Sequence, residues 1–184
     1  MIILGIDPGS VVLGYGAIHS VGKSAELIEY GIIRPKLKQS DFNLRLLEIF
    51  NDLTSIFKRI KPDLVSVEKM FYHKNAQSLI KLAQARAITI LVTIQHGIPI
   101  IEYSPREVKK SIAGRGNASK QQVQFFVKNL LNISETPEFF DVTDALAIAL
   151  CHHLKGGANG DIPGNRIKTW SDFIQQNPDR IINF

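Results

Sequence analysis

The opening stretch Met1-Ile-Ile-Leu-Gly-Ile-Asp-Pro-Gly-Ser10 constrains the fold of this chain more than any other. Apolar residues lead up to Asp7 and Pro8-Gly9 then break the run, the pattern of a buried strand closed by a turn. Asp7 therefore stands at the C-terminal end of a strand, where open α/β sheets collect their ligand sites. A buried carboxylate is expensive unless it is solvated, paired or bound to a cation. Taken alone, the stretch suits a turn-initiating Asp ahead of Pro-Gly just as well. The rest of the chain decides between the two by placing more acids in comparable positions.

Val11–Ser20 reads as a second strand, antiparallel to the first across the Asp-Pro-Gly-Ser turn, and Ala25–Ile33 as a third. The chain thus opens as a three-strand meander. Asp41 or Ser40 can cap a helix running to about Ile60. Its Leu46, Ile49, Phe50, Leu53, Ile56, Phe57 and Ile60 recur at offsets of three and four. After Lys61-Pro62, Asp63–Glu68 is a fourth strand with Val65 and Val67 on one face and Leu64, Ser66 and Glu68 on the other. A strand–helix–strand unit of this kind makes a parallel pair with a right-handed crossover. Glu68 then ends its strand much as Asp7 ends the first.

Asn75–His96 is predicted as a second long helix closed by Gly97, with Ala87–Ile94 apolar nearly all round and so expected to be deeply buried. Ile98–Tyr103 is a fifth strand. Ser104-Pro-Arg-Glu107 carries a capping box that starts a short helix ending at Gly114, and Ser119 opens another to Leu131. Thr136-Pro137 begins a last helix to about Leu154. Asp141 and Asp144 lie three apart on it and point from one face, immediately before seven consecutive apolar residues, Ala145–Cys151. Interaction with the helix N-terminus accounts for one of these acids; two at the mouth of a buried helix need a further reason.

The predicted fold is α/β: a mixed five-stranded sheet, a three-strand antiparallel meander plus two parallel strands, flanked by helices. This order brings Asp7, Glu68, Asp141 and Asp144 to one sheet edge. Four carboxylates that close repel unless cations sit among them, and an all-oxygen donor set suits Mg²⁺, with Mn²⁺ as a substitute. Two such ions roughly 4 Å apart activate water and stabilise the leaving oxygen in phosphodiester cleavage. The net charge of +5 and pI near 9.4 favour a polyanionic partner. One cysteine, Cys151, leaves no internal disulfide and fits a reducing compartment. No signal peptide or membrane span is read, so the expected localisation is cytoplasmic.

Four stretches in the right order carry a resemblance to a known family: LGIDPGS at the start, VEKMFYHKNAQSLIKLAQAR, EYSPREVKKSIAGRGNASKQQV and DVTDALAIA. From Ile2 to about His153 the chain resembles RuvC, the family of bacterial Holliday-junction resolvases of the ribonuclease-H-like superfamily. The resemblance implies a Mg²⁺-dependent crossover junction endodeoxyribonuclease of recombination and DNA repair. Such an enzyme resolves four-way junctions by paired symmetric nicks, leaving 5′-phosphate and 3′-hydroxyl ends. The family's metal-binding acids fall on Asp7, Glu68, Asp141 and Asp144, with Asp7 bridging two ions. Its basic residues near the scissile phosphate fall on Lys109 and Lys120, and the aromatic residue that stacks on an unpaired base falls on Phe71. The implied partners are four-way junction DNA, a second copy of the chain in a homodimer, and the RuvA–RuvB branch-migration complex.

Each assignment has a plainer alternative. Lys120 suits an ordinary exposed helix-start lysine, and Lys109 adjoins Lys110, which could face DNA instead. Phe71 could be core, although Lys69, His73 and Lys74 give it the basic rim that suits unstacked nucleic acid. Arg115, in its glycine-flanked loop, could touch phosphate or simply be solvated. His152 and His153 read as structural or surface residues and not as ligands, because hard ions prefer oxygen, and Cys151 reads as a core residue. Actin-like ATPases and sugar kinases share a strand–Asp–x–Gly opening but need two such domains. A junction-binding protein without catalysis would normally lack one of the acids, and a ribonuclease-H-like nuclease with another substrate is the third rival. Residues 1–155 are read as the nuclease domain and 156–184 as a C-terminal extension, either flexible or a docked helix.

Overall fold

The computed structural model describes residues 1–35, 41–70, 75–134, 137 and 139–156. Five strands and five helices follow in the order β1 (Ile2–Asp7), β2 (Leu13–Val21), β3 (Ser24–Ile33), α1 (Phe42–Ile60), β4 (Leu64–Glu68), α2 (Ala76–Gln95), β5 (Ile100–Tyr103), α3 (Pro105–Ala113), α4 (Lys120–Leu130) and α5 (Phe140–Gly156). The sheet order is β3-β2-β1-β4-β5. β1 and β2 are antiparallel, as are β2 and β3, while β1–β4 and β4–β5 are parallel. The meander and the parallel pair expected from the sequence are both present.

The alternation along β1 sorts the sheet into two faces. Leu4 and Ile6 pack with Val65 and Val67 of β4 against Ile49, Leu53, Ile56 and Phe57 of α1 and Val92 of α2. Ile3 and Leu64 turn the other way, into a core with Val108 and Ile112 of α3, Val123 and Val127 of α4, and Leu146, Ile148 and Leu150 of α5. Period-two alternation then assigns Asp7 and Glu68 to the second face with Ile3 and Leu64. Ile6 pairs with Val67, so the next residues, Asp7 and Glu68, end adjacent strands side by side.

Local chemistry sets the helix ends. Asp41 Oδ1 accepts from Asn43 N at 2.8 Å, and Lys61 closes α1 in the left-handed region at φ 50° before Pro62. Ser104/Glu107 and Ser119/Gln122 form capping boxes at the starts of α3 and α4. Gly97 follows α2 at φ 68°. Helix α5 starts at Phe140, later than the Thr136-Pro137 signal suggests; the Pro137 carbonyl faces Gln124 Nε2 of α4 at 3.5 Å.

The expected deep burial of the later half of α2, Ala87–Ile94, is wrong. The buried residues of the helix are Ala85, Arg86, Thr89, Val92 and Thr93, whereas Ile80, Leu91 and Ile94 are 59, 47 and 46% exposed. Helix α2 packs on α1, and among the described residues only the face carrying Ala85, Thr89 and Val92 is covered.

Of the two alternatives for His152 and His153, the structure selects the structural one, since both are buried. Their Nδ1 atoms lie 2.7 Å from Tyr103 Oη and from Ser20 Oγ. Burial holds the His152 imidazole below its ordinary pKa, favouring the neutral form. Cys151 is a core residue beside Ser111. Among the described residues no helix is long and apolar enough to cross a membrane. The predicted C-terminal extension lies, from residue 157 on, outside the described residues.

Candidate active site

Helix α5 delivers its two acids to the ends of β1 and β4 because the sheet beneath it lacks side chains where it crosses. A Cβ added at Gly5 would stand 2.0 Å from the Ala145 carbonyl oxygen, and one at Gly14 2.1 Å from that of Asp141. Glycine at these two positions lets the helix backbone rest directly on the strands. The first turn of α5, with Asp141 and then Asp144, is thereby pinned beside Asp7, since Asp7 pairs with Gly14 across the β1–β2 ladder.

The Asp7 carboxyl lies within electrostatic reach of the other three acids. Burial, followed by the charges of Asp144, Glu68 and Asp141, pushes the Asp7 carboxyl up to about 8, with Lys120 opposing. Glu68 is also raised, by burial and then Asp144, against the pull of Lys120 and Lys109. Lys120 Nζ donates to Asp144 Oδ2 at 2.8 Å, and this bond, with the charges of Asp144, Asp7 and Asp141, raises the Lys120 ammonium above its ordinary range. Among the described residues, no three acidic, histidine or cysteine side chains are gathered tightly enough to form a ready-made ligand shell. Lys120 instead supplies the positive charge the acids need. The donor set nevertheless fits a hard divalent cation: it is all carboxylate oxygen, half-buried, and holds more negative charge than one lysine balances.

The other predicted residues divide. Lys109 is half-buried and its charge acts on Glu68, whereas exposed Lys110 lines a separate hollow with Arg106, Glu107 and Gly116. Of the adjacent pair, Lys109 therefore addresses the acidic site. Arg115 is exposed in the loop between α3 and α4. Phe71 and Lys74 lie outside the described residues. Two neighbours escaped the sequence reading. Phe140 brings its ring centroid to 6.0 Å from Lys120 Nζ, and buried Arg86 lines the cleft that contains Asp7 and Glu68. The sequence signal for Arg86 was a single cation at the edge of an otherwise apolar helix stretch.

A mixed sheet in this order, with carboxylates converging at the ends of its two central parallel strands, is the ribonuclease-H-like fold of the resolvases. Residues 3–152 match the family model described as crossover junction endodeoxyribonuclease RuvC. The chain is 42% identical to the crossover junction endodeoxyribonuclease RuvC of Chloroherpeton thalassium over 186 residues, covering 99% of this chain and 100% of the relative. It is 44% identical to that of Caldicellulosiruptor saccharolyticus over 161 residues, 86% of this chain and 95% of the relative. The solved structure of Thermus thermophilus RuvC in complex with Holliday junction substrate superposes with a TM-score of 0.79 at 29% identity, covering 86% of this chain and 97% of that one. The chain belongs to the RuvC family of crossover junction endodeoxyribonucleases.

Proposed function

We propose that this protein resolves four-way DNA junctions in recombination and repair by paired symmetric nicks, one strand per active site, leaving 5′-phosphate and 3′-hydroxyl ends. The observation that carries the reading is the acidic centre: a half-buried Asp7 with Glu68, Asp141 and Asp144 acting on it and a lysine bonded to one of them. Asp7, Glu68, Asp141 and Asp144 would hold Mg²⁺, or Mn²⁺ in its place, as a pair of ions that supply activation of the attacking water and charge neutralisation on the phosphate.

The chain's own groups do the rest. The Lys120 ammonium, which here donates to Asp144, would donate to a non-bridging oxygen of the scissile phosphate, where negative charge grows in the transition state. Lys109 adds a second positive charge on the Glu68 side. Phe71 is assigned to stack on an unpaired base at the crossover, with Lys74 and Arg115 on flanking phosphates.

A two-fold junction calls for a two-fold dimer, because each copy has one acidic centre and two strands must be cut. The outer face of α2, with Ile80, Leu91 and Ile94 exposed, supports that helix as the dimer surface. Family membership supports a cytoplasmic location and cooperation with RuvA–RuvB. We assign the nuclease unit to residues 1–155, with residues 156–184 as a C-terminal extension.

Incubating a mobile four-way junction with Mg²⁺ and the wild-type or Asp7→Asn protein tests the reading. Paired nicks from the wild type, and junction binding without nicks from the variant, are expected. Cleavage surviving in Asp7→Asn, or a preference for RNA–DNA hybrid over the junction, would overturn it.

A further inference from the structure

Arg86 is the one cation buried on the inner face of α2, 8% exposed among Ala85, Thr89 and Val92. A buried guanidinium is costly unless its charge is paired and its donors are used. Arg86 meets both conditions. Its Nη2 donates to Glu102 Oε1 of β5, and its Nη1 donates to the main-chain carbonyl of Glu68 at 2.6 Å. The same strand end is tied by Lys69 N donating to the Tyr103 carbonyl at 2.7 Å. Arg86, Asp7, Glu68, Leu82, Met70 and Pro105 line one cleft of about 150 Å³.

We propose that Arg86 is a positioning residue for Glu68: its guanidinium fixes the carbonyl that ends β4 and so sets where the Glu68 carboxylate stands in the acidic centre. The inference rests on the reading of that centre as a cation site. Arg86 acts through geometry. The cations that pull on the Glu68 carboxyl are Lys120 and Lys109, whereas the Arg86 charge is paired with Glu102. Glu68 is the last residue of its strand, and the β1–β4 pairing ends one residue earlier at Ile6–Val67. Its placement therefore depends on contacts with β5 and α2. A guanidinium reaches two acceptors on two elements at once through its planar fork, which a lysine cannot do. Groups that hold a ligand carboxylate in place typically change metal affinity 10–100-fold when removed.

The test compares wild type, Arg86→Gln and Arg86→Lys for Mn²⁺ binding to the DNA-free protein by electron paramagnetic resonance of the free ion. Junction cleavage is measured across the same Mn²⁺ titration, and junction binding in EDTA. For Arg86→Gln we expect the Mn²⁺ midpoint to rise roughly tenfold or more in both titrations. Its cleavage should recover toward wild type at saturating Mn²⁺, with junction binding unchanged. Arg86→Lys should fall between the two. A purely structural role would lower the amplitude and the melting temperature without moving the midpoint, and that result would overturn the proposal. Should Arg86→Gln fail to fold, Glu102→Gln loosens the guanidinium while keeping an acceptor; it should move the midpoint in the same direction, and an unmoved midpoint overturns the proposal equally. A wild type that binds no Mn²⁺ would refute the reading of the acidic centre itself, and this inference with it.

Discussion

Neutralising Asp7 should stabilise the cation-free protein while abolishing its chemistry. The Asp7 carboxyl is pushed from its ordinary 3.8 up to about 8, first by burial and then by three neighbouring acids. The folded protein thus holds this proton over a window in which the unfolded chain has released it. Folded molecules bind more protons there, so stability falls as pH rises from about 4 to about 8, and is level again above. Each pKa unit is worth about 1.4 kcal/mol, which sets a ceiling of about 6 kcal/mol on the penalty. The other acids share that penalty, so we expect Asp7→Asn to recover about 2–3 kcal/mol at pH 8.5 in EDTA, a gain of roughly 5–10 °C for a domain of this size. The assay is thermal unfolding followed by circular dichroism at pH 4 and 8.5. The two proteins should melt together at pH 4, where both carry a neutral side chain. Adding Mg²⁺ or Mn²⁺ at pH 8.5 should raise the wild type and leave Asp7→Asn largely unmoved. A variant no more stable than wild type at pH 8.5, or stabilised equally at both pH values, would refute the account of Asp7 as a buried charge waiting for a counter-ion.

Lys120→Ala should lower the cleavage rate of a junction by about 10²–10³-fold with little loss of junction affinity, as expected for one donor acting on developing charge; rapid-quench and gel-shift measurements separate the two. Leu91→Glu should turn a dimer into a monomer by light scattering and uncouple the paired nicks, because it places a charge in the exposed apolar face of α2. Gly14→Ala should cost about 1–3 kcal/mol in urea unfolding, since its methyl would stand 2.1 Å from the Asp141 carbonyl oxygen and α5 must shift. The same shift carries Asp141 away from Asp7, so cleavage should fall more than the folded fraction does. Ending the chain at Gly156 should leave paired nicking of the junction intact.

Much of this architecture was legible because its signals are local. The period-two alternation of DLVSVE put Glu68 on the opposite face from Val65 and Val67, and its pairing with Tyr103 of β5 continues the strand to that residue. The three-residue spacing of Asp141 and Asp144, the capping boxes at Ser104 and Ser119, and the turn after Asp7 are equally written in nearest neighbours. Family motifs extended this to Lys109 and Lys120, where the sequence pattern alone left a choice of lysines.

What the chain by itself determined is therefore which residues form each element and which way each side chain points from it. Tertiary structure decided what those side chains meet. Only the docking of α5 onto the bare backbones at Gly5 and Gly14 brings Asp141 and Asp144 onto Asp7. Only the packing of α2 on α1 leaves Leu91 and Ile94 exposed among the described residues and turns Arg86 inward to the Glu68 carbonyl. An apolar run reports that a helix can be buried, but the number of neighbouring layers decides how many of its faces are. Burial, and the mutual repulsion of charges from distant parts of the chain, arise only when packing brings those parts together.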